Sequence, residues 1–313
     1  METAEDADVG FRCSPWTRAQ GVDPIGSAGT FDQLLLVEWP MPWPADVSDV
    51  PALAQIAADE RARLMLVAPH ADDSEHDGLI RVVHHVRAST HRMLGVDHRV
   101  ERAAVPQLLA ELLDAPGHDQ LDWPSAVGPA PAEVLVCGHG RRDPCCGRWG
   151  TLLHAELAAR GSQARVWRCS HTGGHRFAPT AITLPDGRAW AYADANLLHG
   201  VLARTADVAT LERHDRGCVA LDPWAQVLER AVFQQLGWSW LDHHVTAAEV
   251  DVDHSRRTAR VALAWRSPDG SEGAAHGEVV VTRVLPVLVC GEPPETAIKS
   301  SPEYALRHLV IER

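Results

Sequence analysis

Two stretches of this chain repeat one order of elements, and that repetition most limits what it can fold into. In the first, FDQLLLVEWP is an apolar run that ends in the breaker-rich loop PMPWPADVSDVP. PALAQIAADERAR then has helical spacing with proline at its first position, and RLMLVAPH reads as a strand entering the polar turn HADDSEHDG. In the second, AEVLVCGHG is a strand running into a loop. A helix starts at CCGRWGTLLHAELAAR after Asp143-Pro144, and QARVWRCS is the next strand. The strands are 31 residues apart in both stretches, from Leu35 to Leu66 and from Leu135 to Val166. LIRVVHHVRAS adds a strand and PQLLAELLDA a helix to the first. AITLPDGRAWAY adds a β-hairpin to the second, with Pro-Asp-Gly as turn chemistry, and ADANLLHGVLART closes it as a helix capped by Asp194.

The expected class is α/β, built on a thioredoxin-like βαβ unit with a candidate degenerate duplicate at the N-terminus. Of the two, only the second copy carries cysteines. Residues 1–30 read as an irregular lead-in, and GPAPAE as a linker. Beyond about residue 207, DPWAQVLERAVFQQLG is a helix with an apolar stripe, and TARVALAWRSPDGSEGAAHGEVVVTRVLPVLV reads as a two-stranded hairpin. The division expected is 1–128, an N-terminal α/β domain; 129–206, the thioredoxin-like unit; and 207–313, a helix plus β-hairpin extension. Three such units suit a length of 313 residues.

Composition narrows the partners. The hydrophobic share of 45% and charged share of 23% are those of an ordinary globular chain. A net charge of −13 argues against nucleic-acid binding, which needs a cationic footprint, and fits a partner with a basic face. The start, METAEDADVG, has neither the basic nor the apolar region of a secretory signal. The longest apolar run, VVVTRVLPVLVC, is broken by Arg283 and Pro286 and is too short for a membrane span. A soluble, cytoplasmic chain is expected. The seven cysteines are odd in number, and four lie between 137 and 169, which suits a metal or redox site better than a disulfide framework.

Two segments carry the chemistry. VLVCGHGRRDPCCGRWG holds Cys137 and Cys146; CSHTGGHRF holds His171 and His175. Each follows a strand, and loops that follow strands of an open α/β sheet meet at one edge. Two thiolates and two imidazoles can converge there. The N-terminus of the helix after Cys146 favours thiolates, and Gly147, Gly173 and Gly174 allow close backbone approach. Cys145 and Cys146 are neighbours whose side chains point about 100° apart on a helix, so one of the two is expected as a ligand. No classical zinc-finger spacing is present.

The run Cys137-Gly-His139-Gly-Arg141-Arg142-Asp143-Pro-Cys145-Cys146-Gly147, followed by His171-Thr-Gly-Gly-His175-Arg176, resembles the sucrase/ferredoxin-like family of thioredoxin-like ferredoxins. The likeness is mostly confined to residues 130–200, with looser similarity in the CSPW segment and the DPWAQVLERA helix. It implies a 2Fe–2S cluster held by Cys137, Cys146, His171 and His175, the second cysteine being the one that directly precedes glycine. The family's name suggests sugar hydrolysis, but no flanking pair of carboxylates can be recognised. With imidazoles in place of two thiolates, the cluster would be less negative and easier to reduce than in plant-type ferredoxins, and electron transfer could couple to a proton.

Around these residues, His139 is expected as a hydrogen-bond donor to sulfur, Arg142 and Asp143 as fixers of the loop, and Arg176 as a counter-charge or a solvated side chain. Trp149 could shield the cluster from water. Cys169 reads as a buried structural cysteine, and Cys13, Cys218 and Cys290 as unremarkable. The doublets His84-His85 and His243-His244 read as core or surface histidines. The function expected is single-electron transfer, as a carrier rather than a self-contained enzyme. The alternatives are a structural zinc module on the same residues, or a thiol oxidoreductase using Cys145 or Cys146, the latter disfavoured by the lack of Cys-x-x-Cys. No GxGxxG fingerprint follows a strand, so a redox partner protein must exchange the electrons.

Overall fold

The computed structural model describes residues 11–69, 78–162 and 164–312, so the polar turn expected over 70–78 lies almost wholly outside the described residues. The chain opens with a short helix, α1 (Cys13–Ala19), inside the stretch expected to be irregular. Its sequence gives no cap signal: Arg12 at the N-cap offers no side-chain bond.

A ten-stranded mixed sheet follows. β1 (Gln33–Glu38) is buried along its whole length and runs parallel to β2 (Arg63–Val67). Between them the expected helix shrinks to one turn, α2 (Ala54–Ala57), after a tighter turn at Pro51–Leu53. Asp59 Oδ1 accepts the Arg61 N–H at 2.9 Å, a local bond that competes with helix continuation. β3 (Ile80–Ser89) pairs antiparallel with β1, and β4 (Arg92–Val100) with β3. α3 (Val105–Asp114) and β5 (Ala126–Pro129) complete this half.

The second half repeats the arrangement. β6 (Glu133–Cys137) runs parallel to β7 (Arg165–Cys169), with α4 (Thr151–Arg160) between them. β8 (Ala181–Leu184) pairs antiparallel with β6, and β9 (Arg188–Trp190) with β8. α5 (Ala195–Leu202) follows, its N-cap Asp194 accepting the Leu197 N–H as the sequence predicts, and then β10 (Asp215–Cys218), which pairs with β9. The strand order is β10-β9-β8-β6-β7-β2-β1-β3-β4-β5. Each half therefore places its first strand between its second and third. The halves meet where β2 and β7 pair antiparallel at Val67 and Cys169. Ser170 ties this seam: its N–H donates to the Leu66 carbonyl and its Oγ accepts the Leu66 N–H.

α6 (Pro223–Leu236) is capped by Asp222, whose carboxylate accepts the Trp224 and Ala225 N–H groups. It packs on a second sheet, an antiparallel meander of β11 (His244–Asp253), β12 (Thr258–Arg266), β13 (Glu272–Val287) and β14 (Lys299–Glu312). The expected hairpin is its central pair, β12 and β13. The flanking strands were illegible for a physical reason: β11 is mostly exposed and polar, and β14 carries Pro302 near its start. The mixed α/β class is thus as expected, with four strands in the C-terminal sheet rather than two.

Candidate metal centre

β6 ends at Cys137, in register with Cys169 of β7. The chain then turns tightly, with the His139 carbonyl accepting the Arg142 and Asp143 N–H groups. A π-helical turn over Cys146–Gly150 leads into α4. Two glycines let this turn descend onto the strand end. A Cβ at Gly150 would stand 1.8 Å from the Cys137 carbonyl oxygen, and one at Gly147 2.4 Å from Gly140 Cα. Asp143 organises the corner: Oδ1 accepts the Cys145 N–H at 2.8 Å and the Cys146 N–H at 3.3 Å.

From that corner the two cysteines diverge. The Cys146 side chain and the His171 ring both neighbour the buried Cys137 sulfur. The neighbouring Cys146, with His171 assisting, holds the Cys137 thiol well below its ordinary range in spite of burial. The same contact pushes Cys146 up. The His175 ring sits beside that of His171, centroids 6.1 Å apart. His175 Nε2 is 2.9 Å from the Leu288 carbonyl, which fixes it as the protonated nitrogen and leaves the Nδ1 lone pair as the donor. His171 Nδ1 is buried and meets no hydrogen-bond partner. Two buried thiols, an orphaned imidazole nitrogen and a second imidazole oriented by a backbone carbonyl are donors of the kind that fits a cluster with mixed sulfur and nitrogen ligands.

The histidine loop is held by a residue that sequence reading passed over. Arg216 is buried in β10, donating to the Gly173 carbonyl at 3.0 Å and to Ser27. Burial pulls its guanidinium down to about 10. Gly173 and Gly174 have φ of +85° and +67°, and a Cβ at Gly174 would meet Arg216 Nη2 at 2.4 Å. Arg176 is buried too, stacked over Phe177 and donating to Ser301 Oγ. His139 Nε2 donates to the Pro44 carbonyl at 2.8 Å, and Arg142 pairs with Asp46 at 3.2 Å. Arg63 donates to the His171 carbonyl. Arg63, His139, Arg142 and His171 line a cleft of about 180 Å³.

Cys145 joins a different group. Its Sγ is 3.1 Å from Cys290 Sγ and 4.0 Å from Cys13 Sγ. Cys13 Sγ is 3.4 Å from both Cys290 Sγ and Asp143 Oδ2. One donor atom from each of these four residues lies within 4.8 Å of all the others, a group that could hold a metal ion. Cys13 and Cys290 are therefore not idle, whereas Cys218 is, its thiol buried against the Thr90 carbonyl. Chain order hides the group, since Cys13 and Cys290 are 277 residues apart and no ligand spacing links them. Trp149 packs against the buried cluster that holds Cys13, Cys137, Cys145 and Cys146. The remaining histidine doublet of the large sheet is structural: His84 binds Gln33 and Gln120, and His85 binds Glu133.

The fold and these groups define a mixed α/β protein with a largely buried cysteine–aspartate group that could hold a metal ion. Residues 24–219, more than half of the 313, match the sucrase/ferredoxin-like family, and the chain belongs to it. Over 58 residues it is 36% identical to Altered inheritance of mitochondria protein 32 of Meyerozyma guilliermondii, a stretch covering 17% of this chain and 21% of that protein. The match thus spans about a fifth of that relative's length. No solved structure matches the chain. Among the described residues, no helix is long and apolar enough to cross a membrane.

Proposed function

We propose that this chain is a cytoplasmic carrier of single electrons, working through a 2Fe–2S cluster held by Cys137, Cys146, His171 and His175. The observation that carries the reading is the convergence of the Cys146 thiol and the His171 ring on Cys137. Bound there, the cluster would supply a one-electron couple at a higher potential than all-thiolate plant-type centres, because neutral imidazoles replace anionic thiolates. The chain's own residues do the rest. His175 keeps its Nε2 proton on the Leu288 carbonyl, which orients the ring. Arg216 and the two left-handed glycines set the turn between the histidines. His171 lines the cleft beside Arg63 and Arg142, where its ring can exchange a proton with water.

The strand order supports reading both halves as thioredoxin-like units, 1–128 as the copy without cluster ligands and 129–206 as the ferredoxin unit, with 207–313 as an extension. Electrons would come from and go to a separate redox protein.

The test is anaerobic purification followed by visible absorption, EPR of the reduced protein, and iron and sulfide analysis. About two irons and two sulfides per chain with an EPR signal on reduction support the carrier. A colourless protein with one zinc bound to Cys137 and Cys146 replaces it with a structural module. A reduction potential that stays constant across the histidine titration removes the proton coupling.

A further inference from the structure

We infer that Cys13, Asp143, Cys145 and Cys290 form a second metal site, separate from the thiol–imidazole group, for a single thiolate-preferring divalent cation of the zinc type. The site does not depend on the redox reading above.

Geometry carries the inference. In a tetrahedral zinc site with Zn–S of about 2.3 Å and Zn–O of about 2.1 Å, sulfurs stand about 3.8 Å apart and sulfur and oxygen about 3.6 Å. Here the sulfurs are 3.1, 3.4 and 4.0 Å apart, and Cys13 Sγ is 3.4 Å from Asp143 Oδ2. The sulfur separations bracket the tetrahedral value, and the sulfur–oxygen distance lies about 0.2 Å inside it. They are far too long for a disulfide, whose S–S bond is about 2.05 Å. The donors come from three distant places in the chain, so local sequence alone does not force them together. Three are buried and Cys290 is half-buried.

The surroundings are those of a built site. The two oxygens of Asp143 divide their work. Oδ1 is committed to the Cys145 and Cys146 N–H groups, which aims Oδ2 at Cys13. The Cys13 N–H points at Cys290 Sγ at 3.4 Å, the kind of bond that stabilises a thiolate. Apolar side chains, among them Phe11, Trp16, Trp149 and Leu288, wrap the sulfurs. Three soft thiolates and one carboxylate favour zinc over magnesium, calcium or manganese, which prefer all-oxygen shells.

A cation here would clip three distant segments together: α1, the corner at 143–145, and the chain after β13. Because Cys145 adjoins Cys146, the clip would also fix the direction of the cluster loop.

The experiment is metal analysis and cobalt titration. Wild-type protein purified without chelator should hold about one zinc per chain besides any iron. The Cys13→Ser/Cys290→Ser variant should lose that zinc and keep the iron content of wild type. Co²⁺ titrated into the Cys137→Ser/Cys146→Ser variant, which lacks the other thiol pair, should give the visible bands of tetrahedral cobalt thiolate at about one equivalent. Should the serine variants fail to fold, Cys290→His, which keeps a ligand, should retain the zinc, and chelator should lower the melting temperature of the wild type. Wild-type protein without zinc even after zinc supplementation, or zinc content unchanged in the Cys13→Ser/Cys290→Ser variant, overturns the site. Iron content and colour report separately on the carrier reading.

Discussion

Cys145 and Cys146 are consecutive, yet their thiols belong to different groups: Cys145 Sγ lies 3.1 Å from Cys290 Sγ, while Cys146 neighbours Cys137. The backbone at Cys145 is helical, with φ −64° and ψ −46°, and successive helical side chains point about 100° apart. Asp143 sets this divergence by taking both N–H groups on one oxygen. One short corner therefore serves two sites at once.

The divergence gives a sharp contrast between neighbours. Cys146→Ser is expected to lose most of the iron and the visible absorption, since it removes a thiolate that cannot be replaced from Cys145. Cys145→Ser is expected to keep more than about half of both, because its thiol faces away from Cys137. Anaerobic preparations of the two, compared by iron analysis at equal protein concentration, decide it. Equal losses would mean that both cysteines serve one cluster.

The histidines set the potential. Replacing neutral imidazole by thiolate in His171→Cys or His175→Cys adds negative charge at the cluster and disfavours the reduced form. A fall in potential on the order of 100 mV is expected for either variant that retains its iron. Protein-film voltammetry or redox titration measures it. A potential that rises instead would place the imidazoles outside the ligand set.

How far these features were legible in the sequence follows from where their causes lie. β1, β6 and β7 announced themselves because their apolar runs are local and wholly or largely buried. Cys137, Cys146, His171 and His175 stood out because their spacing is local and glycine-flanked. The group around Cys13 and Cys290 was not visible, because only the folded chain joins residues 277 apart. Arg216 was hidden in the same way: its role is a bond from β10 to the Gly173 carbonyl, and nothing in DRGC advertises it. α2 was overread because its apolar spacing is real but Asp59 turns the chain away after one turn.

The clamp between the large sheet and α6 should be a strong point of the fold. Arg188 is buried and bonds to both Asp215 and Glu229, and Glu229 also accepts the Trp240 Nε1–H at 2.7 Å. Removing the cation leaves two buried carboxylates facing each other. Arg188→Met is therefore expected to cost about 3–5 kcal/mol in urea unfolding. A loss below about 1 kcal/mol would show that the carboxylates find water or a proton on substitution.

Stability should also depend on pH through His84. Its ring lies between β1 and the 3₁₀ turn near residue 120, bonded to Gln33 Oε1 at 2.9 Å and to Gln120, and burial lowers its pKa from 6.5 to about 4. The unfolded chain takes up this proton at about pH 6.5, before the folded chain does. Its contribution is therefore fully present above pH 6.5, declines as pH falls toward about 4, and changes no further below that. At about 1.4 kcal/mol per pH unit the loss reaches about 3.5 kcal/mol. His84→Gln removes the titration and should flatten the unfolding free energy between pH 6.5 and 4 relative to wild type, whatever it does to stability at pH 8. Other buried histidines, His91 and His98 among them, are shifted down as well and titrate in both proteins, so the difference between the two curves isolates His84. Parallel curves across that window would mean that the folded state admits the proton on His84 at little cost, contrary to its burial.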